Sequence, residues 1–336
     1  MKSALFLASL MSTPWAMQSE VLTAYAKTIA RQYGDKFAAD GGSERPIQSR
    51  MIAAAPRPTN ANRSRGSIAV LPLYGVIMPR AGMLEMCGGG TSIESFTRAF
   101  RSAMADETVS QILIDIDSPG GSVYGVGELA AEIRTARATK PVFGVANSVA
   151  ASAAYWIGAA CSELYVTPGG QVGSIGVITA HEDISKSLQM AGVKVTLLTA
   201  GKYKAEGNPY GPLDAEARAS IQADIDSYGA DFTNAVARGR GVSVEAVRKN
   251  MGQGRMMRGD AARTAEMING VATFDEVVKR MQGTVRGVSP APQRQPAGRS
   301  ALLAARNELA LLDDAPAPKR SSLAALRLEL QLLSNG

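Results

Sequence analysis

The sequence predicts an α/β domain built on a substantially parallel sheet. From Gly66 onward, short β-rich apolar runs (IAVLPLYGVI, QILIDID, PVFGVAN, ELYVT, GSIGVITA and VKVTLLTA) alternate with segments of helical pattern. The runs are apolar on both faces, as strands covered by helices on two sides must be.

Helices are expected at TSIESFTRAFRSAMAD, YGVGELAAEIRTARA, ASAAYWIGAA and EDISKSLQMAG, each set between two of those runs or after the last of them. A long helix, LDAEARASIQADIDSYGADFTNAVARGRG, follows Pro212 and places Asp214 and Glu216 in its first turn. Carboxylates there favour the positive end of the helix dipole. GDAARTAEMING and FDEVVKRM close the unit near residue 282.

The flanks differ in character from this central unit at 66–282. Residues 1–33 start with a lysine and a short apolar stretch that imitates a secretory signal. The stretch runs on into SEVLTAYAKTIARQYG, an amphipathic helical pattern, so a helical segment is expected and secretion is not. Residues 34–65 and 283–299 are rich in Gly, Pro, Ala and Arg without period and read as linkers. Residues 300–336 form a helical tail with an internal echo, RNELALL and RLELQLL, on either side of APAPK. Two short amphipathic helices satisfy that pattern, and so does a scaffold-like or docking tail whose apolar stripes find their core elsewhere.

With 336 residues, 46% hydrophobic and 20% charged, the composition is that of a globular protein. Two cysteines, Cys87 and Cys161, cannot make a disulfide framework, and Cys161 sits in an apolar run as a buried thiol would. The net charge of +6 is spread over the N-terminal arginines and the C-terminal third, so no basic face with interleaved aromatics marks a nucleic-acid partner. No uninterrupted apolar stretch reaches the ~18 residues of a membrane span.

Acyl-transfer chemistry needs a nucleophile, a base and donors for an oxyanion. The single histidine, His181, opens a charged helical stretch, where an exposed or capping role is the ordinary one, so the base is sought elsewhere. Ser152 follows the strand PVFGVAN and enters an apolar helix, with the Ala153 N–H next to it; taken alone, AASAA is also plain small-residue packing. DSPGGSVYG follows QILIDID, and its paired Gly120 and Gly121 let backbone approach a substrate closely, although Pro-Gly-Gly is common turn chemistry. AGKYKAEGNPYG offers Lys202 and Lys204; a lysine acts as base only when its amine is kept neutral, and Lys202 reads as a solvated charge.

In this order, DSPGGSV, AASAAYWIGAACSELYVTPGGQVGSIGVI and GKYK before a long helix resemble the signal-peptide-peptidase A family of serine peptidases, over residues 66–282. The resemblance implies a ClpP/crotonase-like fold of ββα units and a Ser-Lys dyad with no metal or cofactor. Position by position it implies Ser152 as nucleophile and Lys204 as base, Gly121 and Ala153 as oxyanion donors, Gly120 in support, and Ser174 orienting the lysine amine. Many family members carry AASGG where this chain has AASAA, and the ClpP histidine near GSIGV has no counterpart. It further implies a ring-like homo-oligomer that accepts extended protein segments.

MSTPWAMQSEVLTAYAKTIARQ is similar to the leader of phage prohead peptidases, the protein C group of lambda-like phages. That implies capsid, portal or scaffold proteins as substrates, inside the prohead in the host cytoplasm. A signal-peptide-degrading bacterial enzyme, a crotonase-type acyl-CoA enzyme and a catalytically silent assembly protein remain the alternatives. The acyl-CoA enzyme calls for active-site carboxylates and a nucleotide pocket, for which no motif stands out.

Overall fold

A computed structural model describes residues 13–18, 21–23, 50–52, 66–80 and 90–287. Its strands are β1 (Trp15–Met17), β2 (Arg50–Ile52), β3 (Ser67–Tyr74), β4 (Val76–Met78), β5 (Gly90–Ser92), β6 (Val109–Ser118), β7 (Gly120–Ser122), β8 (Val142–Ala151), β9 (Glu163–Val166), β10 (Gln171–Gly173), β11 (Met256–Arg258) and β12 (Gly270–Val271). The helices of interest are α1 (Ile93–Ala105), α2 (Val126–Ala136), α3 (Ala153–Ala159), α4 (Ser185–Met190), α5 (Ala215–Arg240), α6 (Val244–Asn250), α7 (Gly259–Thr264) and α8 (Phe274–Gly287).

The main sheet runs β11-β10-β8-β6-β3-β2, with β9 also on β8 and β12 on β9. Its central pairs β3–β6, β6–β8, β8–β9 and β8–β10 are parallel. A second, small sheet runs β1-β7-β4-β5. Two long strands of the main sheet, β3 and β6, each hand the chain to the small one across one residue. Gly75, in the left-handed region at φ 66°, separates β3 from β4, and Pro119 separates β6 from β7. The chain then returns through a helix, which gives the ββα units that the resemblance implied.

Helices cover both faces of the main sheet, and this accounts for runs that are apolar throughout. On one face, Phe96 and Phe100 of α1, Leu129 and Ile133 of α2, and all of α3 pack with Ile112, Ile114 and Ile116 of β6. On the other, Val277, Val278 and Met281 of α8 cover Ile68, Val70, Leu113 and Phe143. α1 starts where Ser92 Oγ accepts the Ser95 N–H, and α5 where Asp214 Oδ1 accepts the Ala217 N–H at 2.8 Å.

The helix α3 is buried along its whole length and is held from three sides. The Trp156 ring stacks on Phe232 of α5 with centroids 4.6 Å apart. The Tyr155 hydroxyl donates to the Met267 carbonyl at 3.0 Å, and burial pushes its pKa upward. At the helix end, Arg137 Nη1 donates to the carbonyls of Ala160, Cys161 and Gly239, a cation where helix carbonyls lack partners. Cys161 is a free, buried thiol whose pKa burial pushes up to about 12.

The structure differs from the sequence reading in four places. VKVTLLTA lies outside both sheets, and residues 191–204 are all exposed. Of GSIGVITA, only Gly173 belongs to a strand, and Ile178 makes a single bridge with Trp15. Trp15–Met17 is a strand rather than helix, because the edge of β7 takes its backbone groups. Residues 50–52, inside the expected linker, pair antiparallel with β3. The expected tail at 300–336 lies outside the described residues, as does Cys87.

Two glycines of α5 give a paired test of this packing. A Cβ on Gly239 would lie 2.3 Å from the Ala159 carbonyl oxygen, whereas one on Gly229 meets nothing within 4 Å. Gly239→Ala is expected to destabilise by about 1–3 kcal/mol through overpacking. Gly229→Ala is expected to stabilise by about 0.5–1 kcal/mol, the helix advantage of alanine. Urea unfolding of both variants checks the pair.

Candidate active site

The site forms where β8 ends. Ala151 is the last strand residue, Ala153 the first of α3, and Ser152 between them has φ 54° and ψ −117°. An L-residue rarely adopts that backbone, and holding it there costs on the order of 1–3 kcal/mol. Two hydrogen bonds fix it: the Ser152 N–H donates to the Gly173 carbonyl at 2.7 Å, and the Trp156 N–H donates to the Ser152 carbonyl at 2.8 Å. The turn leaves the Ser152 side chain at the head of the helix, with its hydroxyl 3.4 Å from the Gly176 carbonyl. Ser152 is fully buried.

The glycine strand β7 faces it. Ser118 Oγ donates to the Gly75 carbonyl at 2.6 Å and accepts the Gly120 N–H at 3.2 Å, which locks the turn from β6. Gly120 sits at φ 97°; a Cβ there would lie 2.2 Å from the Ala16 carbonyl oxygen and 3.0 Å from Ser152 Cβ. A Cβ on Gly121 would lie 1.9 Å from the Ile77 carbonyl oxygen. Both positions therefore demand glycine for space, and Gly120 for conformation as well. The Ala153 N–H is the first amide of α3, in the turn whose amides have no acceptor inside the helix.

The residues singled out from the sequence fall into two groups. Gly120, Gly121, Ser152 and Ala153 come together at the junction of the two sheets with α3. Ser174 follows β10 with a left-handed backbone (φ 54°), and its N–H donates to the Arg255 carbonyl. Lys204 stands apart: it is exposed on the segment between α4 and α5, and no hydrogen bond joins it to Ser152. Lys202 Nζ lies 2.8 Å from Glu216 Oε1 and 2.7 Å from the Tyr203 hydroxyl. The Glu216 contact, then Tyr203, raises its pKa, so this amine stays charged. His181 Nε2 meets the Asn208 carbonyl at 3.0 Å, as a donor. Among the described residues, no cluster of His, Cys, Asp or Glu could hold a metal ion, and no helix is long and apolar enough to cross a membrane.

One participant escaped the sequence reading. Ala16, in β1, lies against Gly120 and is itself fully buried. The only local signal was Pro14, which disfavours helix at the residue before it.

The site thus sits in a parallel-centred α/β fold, with a strained serine between strand and helix and a Gly-Gly strand facing it. Residues 134–287 match the model of peptidase family S49. It is 35% identical over 240 residues to the head-tail preconnector protein GP5 of Enterobacteria phage P21, covering 70% of this chain and 48% of that protein. It is 34% identical over 192 residues to the capsid assembly protease C of Escherichia phage lambda, covering 57% of this chain and 44% of that protein. The chain thus spans about half the length of the curated relatives it matches. Among solved structures it is similar to ClpP1 from Listeria monocytogenes (14% identity, TM-score 0.40, covering 62% of this chain and 92% of that one).

The strain at Ser152 has a measurable consequence. Ser152→Gly relieves the backbone and Ser152→Ala does not, although both remove the hydroxyl. In urea unfolding, the glycine variant is expected to be the more stable of the two by about 1–3 kcal/mol.

Proposed function

We propose that the chain is a serine endopeptidase with Ser152 as nucleophile, acting on extended protein segments. The observation that carries this reading is the backbone of Ser152, left-handed and buried between β8 and α3, with Gly120 against its side chain. Such strain persists where the surrounding structure over-determines it, and it collects at reactive residues. The S49 match and the two phage relatives support the same reading.

In the proposed reaction, Ser152 Oγ gives its proton to a neutral Lys204 amine and attacks the carbonyl carbon of the scissile peptide bond. The N–H groups of Gly121 and Ala153 stabilise the oxyanion, and Ser174 orients the amine. Lys204 then returns the proton to the leaving amine as the peptide bond breaks. Water, deprotonated by the same amine, hydrolyses the acyl-enzyme and restores the serine.

Among the described residues Lys204 is left exposed, shortly after an apolar strip in which Leu197 is 44% and Leu198 92% exposed. Large apolar side chains in a row mark a surface that is covered in the working assembly. A second copy of this chain is the cover we assign, in keeping with the expected ring-like homo-oligomer. It strips water from the amine, which favours the neutral form, and lets a lysine and a serine from neighbouring copies meet. Capsid, portal or scaffold proteins of a phage head are the proposed substrates, within the prohead in the host cytoplasm, and no nucleic acid takes part.

A fluorophosphonate probe is expected to label the wild type and not Ser152→Ala. Lys204→Ala is expected to reduce cleavage of a co-expressed portal or scaffold protein by about 10²–10⁴, the usual contribution of a general base. Lys202→Ala and His181→Ala are expected to cleave at near the wild-type rate. Full activity in Lys204→Ala, measured by gel and mass spectrometry of the substrate, overturns the dyad.

A further inference from the structure

An extended peptide is read by adding it as a strand to a free sheet edge, where main-chain hydrogen bonds hold it in register. Beside Ser152 that edge belongs to β7, whose other side is taken by β4 through Ile77 and Gly121. In this chain the edge is already filled. β1 pairs antiparallel with β7 in the register Trp15–Ser122, Ala16–Gly121 and Met17–Gly120. The Gln18 N–H extends the contact to the Pro119 carbonyl at 3.3 Å. On its far side, the Trp15 N–H donates to the Ile178 carbonyl at 2.8 Å, and the Ile178 N–H donates back to the Trp15 carbonyl at 2.9 Å.

Residues 15–18 therefore thread a slot between the glycine strand and the segment that follows Ser174. The Ala16 carbonyl and the Ser152 side chain meet over the same atom: one Cβ placed on Gly120 would touch both, at 2.2 and 3.0 Å. Trp15, Ala16 and Met17 are 1%, 0% and 3% exposed, and Ser152 beneath them is 0% exposed. With β1 in place, the hydroxyl presents no surface to solvent and β7 no open edge to another chain.

We propose that Trp15–Met17 is an autoinhibitory strand, a built-in occupant of the substrate's place that withdraws before another extended chain reaches Ser152. The inference rests on the reading of Ser152 as nucleophile. A strand tethered to the same chain competes at an effective concentration on the order of millimolar, so a short ladder is enough to keep the slot filled. Trp15, among the largest fully buried side chains of the protein, anchors the ladder. A strand with a purely architectural role would stabilise the fold without controlling the serine.

The test uses the full chain with a recognition sequence for a specific protease placed within residues 36–45, between β1 and β2. The chain is folded, then cut, and the N-terminal piece is removed. Fluorophosphonate labelling rates of Ser152 are compared in the uncut chain, the cut chain, uncut Trp15→Ala and Ser152→Ala. Trp156, the one tryptophan left in Trp15→Ala, reports through its fluorescence whether the core is intact. The cut chain and Trp15→Ala are expected to label about tenfold faster or more, as when the open cleft is a tenth populated in the intact chain. Equal rates in uncut chain, cut chain and Trp15→Ala, with labelling lost in Ser152→Ala, overturn the strand's inhibitory role and leave the nucleophile standing. Absence of Ser152-dependent labelling in every version overturns the nucleophile, and the inference with it.

Discussion

The site depends on one strained residue. Ser152 adopts a backbone that its side chain disfavours, and it stays there because the neighbouring peptide groups have nowhere else to bond. Its N–H is taken by Gly173 at the end of β10, and its carbonyl starts the helix by accepting from Trp156. Strand β8 can therefore neither continue nor relax into a looser turn. The result is a side chain fixed at the mouth of a helix, with the amide of Ala153 alongside it.

Everything packed around α3 serves to keep that junction from giving way. Seven residues of helix are too few to be stable on their own, so tertiary contacts hold it. The stacked rings of Trp156 and Phe232, the close approach of Gly239 to Ala159 and the Arg137 guanidinium at the helix end supply those contacts. Gly120 completes the arrangement from the opposite side, where only the lack of a side chain lets two carbonyls and the Ser152 Cβ share one space. The unusual backbone is thus maintained by the α3–α5 interface, well away from the reacting atoms.

Local chemistry was legible in the sequence, and partnership was not. The helices over Ile93–Ala105, Val126–Ala136 and Ala215–Arg240 announce themselves through their apolar spacing and, for the last, through Asp214. Ser152 and the Gly120–Gly121 pair stand out only through the family resemblance, since AASAA alone also reads as small-residue packing and Pro-Gly-Gly as an ordinary turn. VKVTLLTA reads as a strand because its apolar, β-branched pattern records a demand for burial, but the pattern does not say what meets the demand. Among the described residues nothing does. The three residues of β1 carry too short a pattern to be seen at all; their conformation is imposed by the edge of β7, more than 100 positions away in the sequence.

The same division separates the proposed nucleophile from its proposed base. Ser152 is positioned by contacts among the described residues, whereas Lys204 lies on an exposed segment for which we propose a second copy as the cover. An experimental structure of the assembled full-length protein tests this most directly. The account predicts Lys204 Nζ of one copy within about 3 Å of Ser152 Oγ of its neighbour, in the range where proton transfer is possible. An assembly in which Lys204 still faces open solvent, with Ser152 reached by some other base, would contradict it.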